Sequence, residues 1–387
     1  MRHGHRTLLG GLAAATFLSA VLPASAMAAP HERPPAVRLL DTLTVPAGTT
    51  EDGMPFGGLS GIDYDRRSGE YVAISDDRSE NGKARFYTLR LPLRGGAFTK
   101  PVVEGLTVLD DTDGEPFATK AVDPESIRWT PGGRSLLWTS EGASSSGRPA
   151  FLREAGPEGA YRRELPLPDA YAPVRDGAGK LVAGVRNNQA LEGLTLTPDG
   201  RKAVTVTENA LVQDGPAASL TSGSPSRLLV SDRRTGRPEA QYVYEVDPVS
   251  DAATAPLPPP VNTFSSDRGV SEILAISRTD FITVERSFAS GVGFAIRLYW
   301  TTTRGATEVS GEHALSGTET PMRKKLLFDF TTSGTDADNV EGITWGPVLP
   351  DGSRSLVLVS DDNFGFNGGT TKFHLLAVRP WVTSGGA

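Results

Sequence analysis

The sequence predicts an all-β protein, a β-propeller built of four-stranded antiparallel blades. Three observations support this prediction: a unit that recurs five times, alternating apolar and polar residues between Pro-, Gly- and Asp-rich turns, and the lack of any long segment with helical periodicity. Short strands that are joined by tight turns and repeated along a chain are typical of propeller blades.

The N-terminal segment predicts export. A short basic start, Met1–Arg6, precedes an apolar run that ends at about Leu22, and an Ala-x-Ala motif follows at Ala26–Ala28. These parts are typical of a cleaved signal peptide, because the apolar run is short for a membrane span of about 20 residues. We therefore expect residues 1–28 to be a signal peptide. Residues 29–387 are expected to form one secreted propeller domain that does not insert into the membrane.

Composition narrows the function classes. The chain has a net charge of −7, no cysteine and five histidines, of which three lie after the predicted signal peptide, at His31, His313 and His374. The negative charge argues against nucleic acid as a partner. The missing cysteines and the sparse histidines argue against a zinc site. The sequence contains no phosphate loop, dinucleotide fingerprint or nucleophile elbow. We expect a monomer that binds cations and acts on a small molecule.

Each repeat has an anchor residue at the start of its first strand. The third repeat, Leu191–Gly200 (LEGLTLTPDG), shows an acid, a strand, a tight turn and then a second strand that ends on another acid. The anchors lie 65, 67, 80 and 69 residues apart and are Ser60, Glu125, Glu192, Glu272 and Glu341. Units of this length leave room for a sixth blade. The strand Val37–Thr44 is expected to complete the last blade and close the ring, which removes exposed sheet edges.

The acids of each hairpin should converge at one end of the channel. Antiparallel strands bring the start of the first strand back beside the end of the second, so Glu125 is expected near Glu141 and Glu192 near Glu208. Crowded carboxylates repel one another unless cations lie between them. Calcium suits such a ring because it takes about six to eight oxygen ligands in irregular geometry. The predicted calcium ligands are Asp76, Glu125, Glu141, Glu192, Glu208, Glu272, Glu285, Glu341, Asp361 and Asp362.

Several strings resemble the phytase-like family, whose members are described by the esterase-like activity of phytase. The most specific are Val340–Gly346 (VEGITWG) and Leu356–Phe364 (LVLVSDDNF). Leu191–Gly200 and Ile282–Phe288 (ITVERSF) are also similar to the family, and the resemblance extends from about Phe56 to Val378. It implies a propeller in which acidic residues form the active centre and phosphate esters are hydrolysed.

The sequence therefore predicts a secreted, calcium-dependent phosphoester hydrolase. The candidate catalytic residues are Glu192, Glu341 and Asp361, because a carboxylate that is not fully used by metal can act as a base. Basic residues beside the acids could bind the phosphate group, and the candidates are Arg128, Arg286 and Lys372. Two alternatives stay open: a calcium-dependent lactonase or arylesterase on the same ring, and a non-catalytic extracellular binding propeller with structural calcium.

Overall fold

Five four-stranded antiparallel sheets form the blades of a β-propeller. The computed structural model describes residues 36–46, 48–143, 147–257 and 265–379, together with Met1 and Gly4. The predicted signal peptide thus lies, apart from those two residues, outside the described part of the chain. The first strands of neighbouring blades contact one another all the way round, from blade 1 to blade 5 and back to blade 1. The prediction of an all-β propeller is confirmed.

In every blade, the first strand lies next to the axis and the fourth lies outermost. Blade 1 contains Leu59–Asp65, Glu70–Ser75, Arg85–Arg90 and Val102–Val108. Blade 2 contains Pro124–Trp129, Leu136–Ser140, Phe151–Ala155 and Tyr161–Leu165. Blade 3 contains Leu191–Leu196, Lys202–Thr207, Ser224–Asp232 and Pro238–Val246. Blade 4 contains Ser266–Ala275, Asp280–Ala289, Gly293–Thr302 and Arg323–Asp329.

Blade 5 combines the two ends of the propeller. Its first three strands are Asn339–Val348, Arg354–Asp361 and Lys372–Val378, and its outermost strand is Val37–Thr44. Val37 lies opposite Val378 and Thr44 lies opposite Lys372 in this antiparallel pair. The predicted closure of the ring by the N-terminal strand is therefore confirmed.

The length of the repeats comes from connections and not from a sixth blade. Three two-stranded hairpins and three 3-10 helices lie between blade strands, and the described residues contain no sixth four-stranded sheet. The hairpins are Thr50–Glu51 with Met54–Pro55, Leu93–Arg94 with Ala97–Phe98, and Val174–Arg175 with Leu181–Ala183. The 3-10 helices are Asp169–Tyr171, Phe330–Thr332 and Asn363–Gly368. Among the helices that the structure describes, none is long and apolar enough to cross a membrane.

The hydrophobic core lies between adjacent blades. Ile74 and Phe86 of blade 1 pack in one cluster with Ile127 and Trp138 of blade 2, for example, and similar clusters fill the other blade interfaces. Each fully buried side chain of this size contributes roughly 1.5–3 kcal/mol of transfer free energy. Because every blade is packed on both faces, the first strands are held rigidly around the axis.

Candidate metal centre at the channel mouth

A one-residue β-bulge occurs at the same place in the first strand of every blade. A bulge leaves one residue unpaired and redirects its side chain. The bulged residues are Ser60, Glu125, Glu192, Ser271 and Glu341. In blade 4, Val270 lies opposite Glu285 and Glu272 lies opposite Val284, which leaves Ser271 in the bulge. The alignment of Glu272 with the anchor glutamates was therefore wrong by one residue.

The glycine after the anchor glutamate is needed because neighbouring first strands approach closely. A Cβ atom at Gly193 would lie 2.7 Å from Val206 Cγ1 and 3.0 Å from the backbone nitrogen of Ile273. At Gly342 it would lie 2.7 Å from Val359 Cγ1. The two residues of the Glu-Gly pair thus have separate roles. The glutamate faces the mouth, and the glycine allows neighbouring blades to pack closely.

The second strands bring a second set of side chains to the same mouth. In each second strand, the residue after the one that pairs just before the bulge lies at the mouth. These residues are Asp76, Glu141, Glu208, Arg286 and Asp361. In blade 4 this position holds Arg286. The strand pairing shows this, since Arg286 lies opposite Gly269 just as Asp361 lies opposite Asn339. Glu285 precedes this position and faces away from the mouth.

Nine acidic side chains converge at the mouth, and we name them the mouth carboxylates. They are Asp76, Asp123, Glu125, Glu141, Glu192, Glu208, Asp267, Glu341 and Asp361. All of them are buried or half-buried, and eight of them line a cavity of about 1010 Å³; Glu208 lies behind Arg286. So many carboxylates in one cavity leave a large negative charge that the protein itself compensates only in part.

The tightest group of the mouth carboxylates comes from blade 2. One oxygen atom each of Asp123, Glu125 and Glu141 lie within 4.8 Å of one another, a spacing that could hold a metal ion. The Ser60 hydroxyl donates to Glu125 Oε2 at 2.7 Å, and Glu141 accepts from the backbone of Ala190 in blade 3. The carboxyl group of Glu192 lies next to that of Glu141, so two acidic groups meet here without a cation between them among the described residues.

Blades 5 and 1 supply the other side of the mouth. The Asn339 amide donates to Glu341 Oε1 at 3.0 Å and to Asp361 Oδ2 at 3.1 Å. Asp361 Oδ1 also accepts from the backbone of Asn363 at 2.7 Å. Two buried oxygens here, Asp76 Oδ1 and Asn339 Oδ1, have no hydrogen-bond partner among the described residues. Buried polar atoms without partners are costly, so these oxygens indicate a place for a ligand.

Burial raises the pKa of every mouth carboxylate above its ordinary value. For Asp123 the shift brings the pKa to about 8, although the guanidinium of Arg78 opposes it. Repulsion from neighbouring carboxylates adds to the effect of burial at Asp76, Glu125 and Glu192. A bound cation would reverse these shifts, since an opposite charge favours the ionised form.

Among the described residues, the cavity lining contains two cationic side chains, Arg78 and Arg286. Arg286 Nη2 donates to Glu208 Oε1 at 2.6 Å, and its Nη1 lies 3.9 Å from Asp267 Oδ2. Arg78 pairs with Asp123 at 2.5 Å, and its side chain is 38% exposed. Both arginines could reach an anionic group in the cavity, and Arg286 is thus the one predicted substrate-binding residue that the structure brings to the site.

Arg128 and Glu272 lie deeper in the channel, and we name them the axial pair. Arg128 Nη2 donates to Glu272 Oε2 at 2.6 Å. The Arg128 guanidinium also donates to backbone carbonyls of blades 1, 2, 4 and 5, which belong to Ile62, Ile127, Ile273 and Ile343. Glu272 Oε1 accepts from the backbone of Leu194 in blade 3. These contacts link all five blades, so the structure places both residues in a structural ion pair and not at the mouth.

Three further predicted site residues lie apart from the mouth. Glu285 is buried against Arg268, Tyr244 and Lys324, at distances of 2.6 to 2.7 Å. The Asp362 side chain accepts from the backbone of Phe364 and caps the 3-10 helix that follows. Lys372 forms ion pairs with Asp336 and Asp338 beside the cavity.

Sequence reasoning missed Asp123 and Asp267 as members of the site. A signal for Asp123 was present, because blades 2 and 5 share an acid or amide two residues before the anchor glutamate, Asp123 before Glu125 and Asn339 before Glu341. No repeated pattern marks Asp267, whose proximity to Arg286 depends on the folded first strand of blade 4.

The fold and the mouth carboxylates define a propeller with an acidic centre, and comparison with known families agrees with this class. The chain belongs to the phytase-like family, described as "esterase-like activity of phytase", whose model matches residues 54–364. The predicted family resemblance is thereby confirmed. A search of curated proteins found no match to the chain.

Several solved structures are similar to this chain at low sequence identity and with low TM-scores. The Malassezia sympodialis allergen Mala s 1 is 11% identical with a TM-score of 0.38, covering 85% of this chain and 82% of its own. A gluconolactonase from Xanthomonas campestris, XC5397, is 10% identical with a TM-score of 0.33, covering 82% and 71%. The catalytic domain of a Coprinopsis cinerea α-L-arabinofuranosidase is 9% identical with a TM-score of 0.41, covering 92% and 99%. None of these likenesses bears on function.

Proposed function

We propose that this chain is an exported hydrolase of phosphoesters that depends on a divalent cation, with calcium as the best-suited ion. The observation that carries the proposal is the group of Asp123, Glu125 and Glu141, whose oxygens lie within 4.8 Å of one another at the base of a large cavity. Membership of a family described by the esterase-like activity of phytase supports hydrolysis of an ester bond.

The donor chemistry of the mouth suits calcium. Every candidate ligand offers oxygen, and hard cations such as calcium prefer oxygen. One oxygen each of Asp76 and Asn339 adds to the carboxylates of blade 2, and no donor in the described part of the chain satisfies it. The residues that would hold the ion are Asp76, Asp123, Glu125, Glu141, Glu192 and Asn339. A cation in this place would also relieve the repulsion between Glu141 and Glu192.

The remaining mouth residues could carry out the chemistry. A bound calcium ion supplies a Lewis acid that polarises a phosphoryl oxygen and lowers the pKa of a water molecule. Arg286 and Arg78 line the cavity and would orient the phosphoryl group through their guanidinium donors. Asn339 donates hydrogen bonds to Glu341 and Asp361, and either carboxylate could act as a base once a bound cation favours its ionised form.

The test combines a thermal melt with a turnover assay on residues 29–387. Calcium is expected to raise the melting temperature and to support hydrolysis of phosphoesters, while a chelator abolishes both effects. Glu125→Gln and Glu192→Gln should lose the calcium response and the turnover but remain folded. Glu158→Gln is a matched control, since Glu158 is exposed in the turn between the outer strands of blade 2.

Two results would overturn the proposal. A melting temperature that ignores calcium would show that the mouth carboxylates do not bind the ion. A melting temperature that rises with calcium, without hydrolysis of phosphoesters, would leave calcium as a structural ion. Simple esters and lactones in the same assay would then decide whether the ring acts on another ester bond.

A further inference from the structure

One wall of the mouth cavity is apolar. Phe288, Val292 and Phe294 of blade 4 line it, and so do Phe364 and Phe366 from the segment after the second strand of blade 5. Val292 is 51% exposed and Phe366 is 39% exposed. Exposed apolar side chains inside a cavity, next to a cluster of charges, are typical of a ligand site that binds an apolar group.

The wall on blade 4 results from an extended hairpin. The second strand of this blade continues to Ala289, three residues past Arg286, whereas the equivalent strands of blades 1, 2 and 3 end just before the mouth position, at Ser75, Ser140 and Thr207. The extension places Phe288 opposite Phe294, with ring centroids 4.9 Å apart. The hairpin therefore raises an aromatic pair above the mouth carboxylates.

The wall on blade 5 is held in an unusual backbone conformation. Asn363 and Phe364 both have positive φ values, 46° and 50°. A bulky residue in this region is rare and costs free energy, so such residues are often kept for a functional reason. The conformation lays the Phe364 ring against Gly58, where a Cβ atom would lie 2.6 Å from the ring.

The charges of the cavity limit how many phosphate groups a substrate can carry. The described lining contains twelve acidic residues against Arg78 and Arg286. Both arginines already contact carboxylates. A ligand with several phosphate groups needs several cationic partners, and the cavity offers too few. A single phosphoryl group, by contrast, could be shared between the cation and these two arginines.

We infer that the preferred substrate is a phosphoester with one phosphoryl group and an apolar substituent of aromatic size, which lies against the wall formed by Phe288, Val292, Phe294, Phe364 and Phe366. This inference rests on the proposed function, because it places the phosphoryl group at the mouth carboxylates. The shortage of cationic side chains disfavours polyanionic substrates, and the apolar wall favours a large apolar substituent over a small one.

Binding of stable analogues tests the inference without requiring turnover. Benzylphosphonate and methylphosphonate carry the same headgroup and differ in the apolar substituent. By calorimetry at saturating calcium, benzylphosphonate should bind about tenfold more tightly or better, as expected for burying one aromatic ring. Tripolyphosphate, measured at the same free calcium concentration, should bind more weakly than benzylphosphonate.

Exposed wall residues provide variants that should still fold. The double variant Val292→Ser with Phe366→Ser should reduce the preference for benzylphosphonate about threefold. Val174→Ser is the matched control, because Val174 is 48% exposed in a hairpin that does not line the cavity. It should leave the preference unchanged.

The outcomes separate this inference from the proposed function. Equal binding of the two phosphonates, or tightest binding of tripolyphosphate, would overturn the inference while calcium-dependent turnover of phosphoesters still upheld the function. If neither phosphonate binds and no phosphoester is hydrolysed, both the inference and the proposed function are wrong. A preference that survives the double variant unchanged would show that the wall does not contact the ligand.

Discussion

The axial pair and the mouth carboxylates are two sets of buried charges around one channel, and the protein treats them differently. Arg128 and Glu272 lie 2.6 Å apart and are surrounded by backbone donors and acceptors from all five blades. Among the described residues, the mouth carboxylates outnumber their cationic partners, and Asp76 and Asn339 each keep an oxygen without a hydrogen-bond partner. Charges that the protein pairs itself serve the fold, whereas charges left unpaired are available to a ligand.

A difference of one residue in register separates the two regions. Glu192 occupies the bulge position of blade 3 and faces the mouth. Glu272 occupies the next position in blade 4 and faces the axis. In three blades that next position is glycine, but blade 2 has Ser126 there, and its hydroxyl donates to Glu272 Oε2 at 2.7 Å. The axial pair thus exists because blade 4 carries Glu272 at a position where three other blades have glycine.

Removing Arg128 should have the largest effect on stability. Arg128→Met leaves Glu272 and four backbone carbonyls without their donor, and breaking one partner of a buried ion pair costs about 3–5 kcal/mol. Urea unfolding with and without calcium measures the loss. The increase in the free energy of unfolding that calcium causes should be the same in the variant as in the unchanged protein. If the variant loses this increase as well as its stability, the axial pair and the mouth carboxylates are energetically coupled.

The same Glu→Gln substitution should change the free energy of unfolding differently in the two regions. Without calcium, Glu272→Gln is expected to lower the free energy of unfolding by about 2 kcal/mol, because it weakens charged hydrogen bonds to Arg128. Glu192→Gln should leave stability unchanged or raise it, since the amide carries no charge and removes the repulsion from neighbouring carboxylates. Denaturant curves of both variants in chelator are the measurement. Equal losses in the two variants would contradict the distinction.

The pH dependence of the calcium-free protein should reveal the unpaired charges. Because the folded pKa of each mouth carboxyl is raised, its contribution to stability is fully present below about pH 4 and is lost as the pH rises through the folded value, about 8 for Asp123. Each such group contributes a slope of about 1.4 kcal/mol per pH unit within its window.

Unfolding in chelator at about pH 5 and about pH 8 measures this slope. Calcium should weaken the dependence, since the ion binds the deprotonated carboxylates and contributes more stability as the pH rises. Asp123→Asn is the control and should flatten the curve in chelator. A calcium-free protein that becomes more stable toward pH 8 would show that the mouth carboxylates are ionised and compensated in some other way.

Most of the fold could be predicted from the sequence, because strand alternation and turn residues are local signals that recur five times. The closing strand Val37–Thr44 was predictable for the same reason, as the last repeat lacked a fourth strand. The register of blade 4 was not predictable, since Ser271-Glu272 matches the anchor motif by letter but a bulge can only be located from strand pairing. The position of Arg128 on the axis depends on backbone groups from four blades, which no local pattern reports.

The smallest effect is expected at Lys372, which was a predicted substrate-binding residue. Its ammonium group pairs with Asp336, whose side chain is 78% exposed, and with Asp338. The pair with exposed Asp336 contributes about 1 kcal/mol or less, and the pair with the less exposed Asp338 is longer, at 3.4 Å. Lys372→Ala should therefore lower stability modestly and leave KM for a phosphoester unchanged. Arg78→Gln in the same assay should raise KM about tenfold, as expected for losing one charged hydrogen bond to the substrate. If Lys372→Ala raised KM as much as Arg78→Gln without lowering kcat, Lys372 would have to reach the phosphoryl group, and the charge available for a polyanionic substrate would be larger than the two arginines provide.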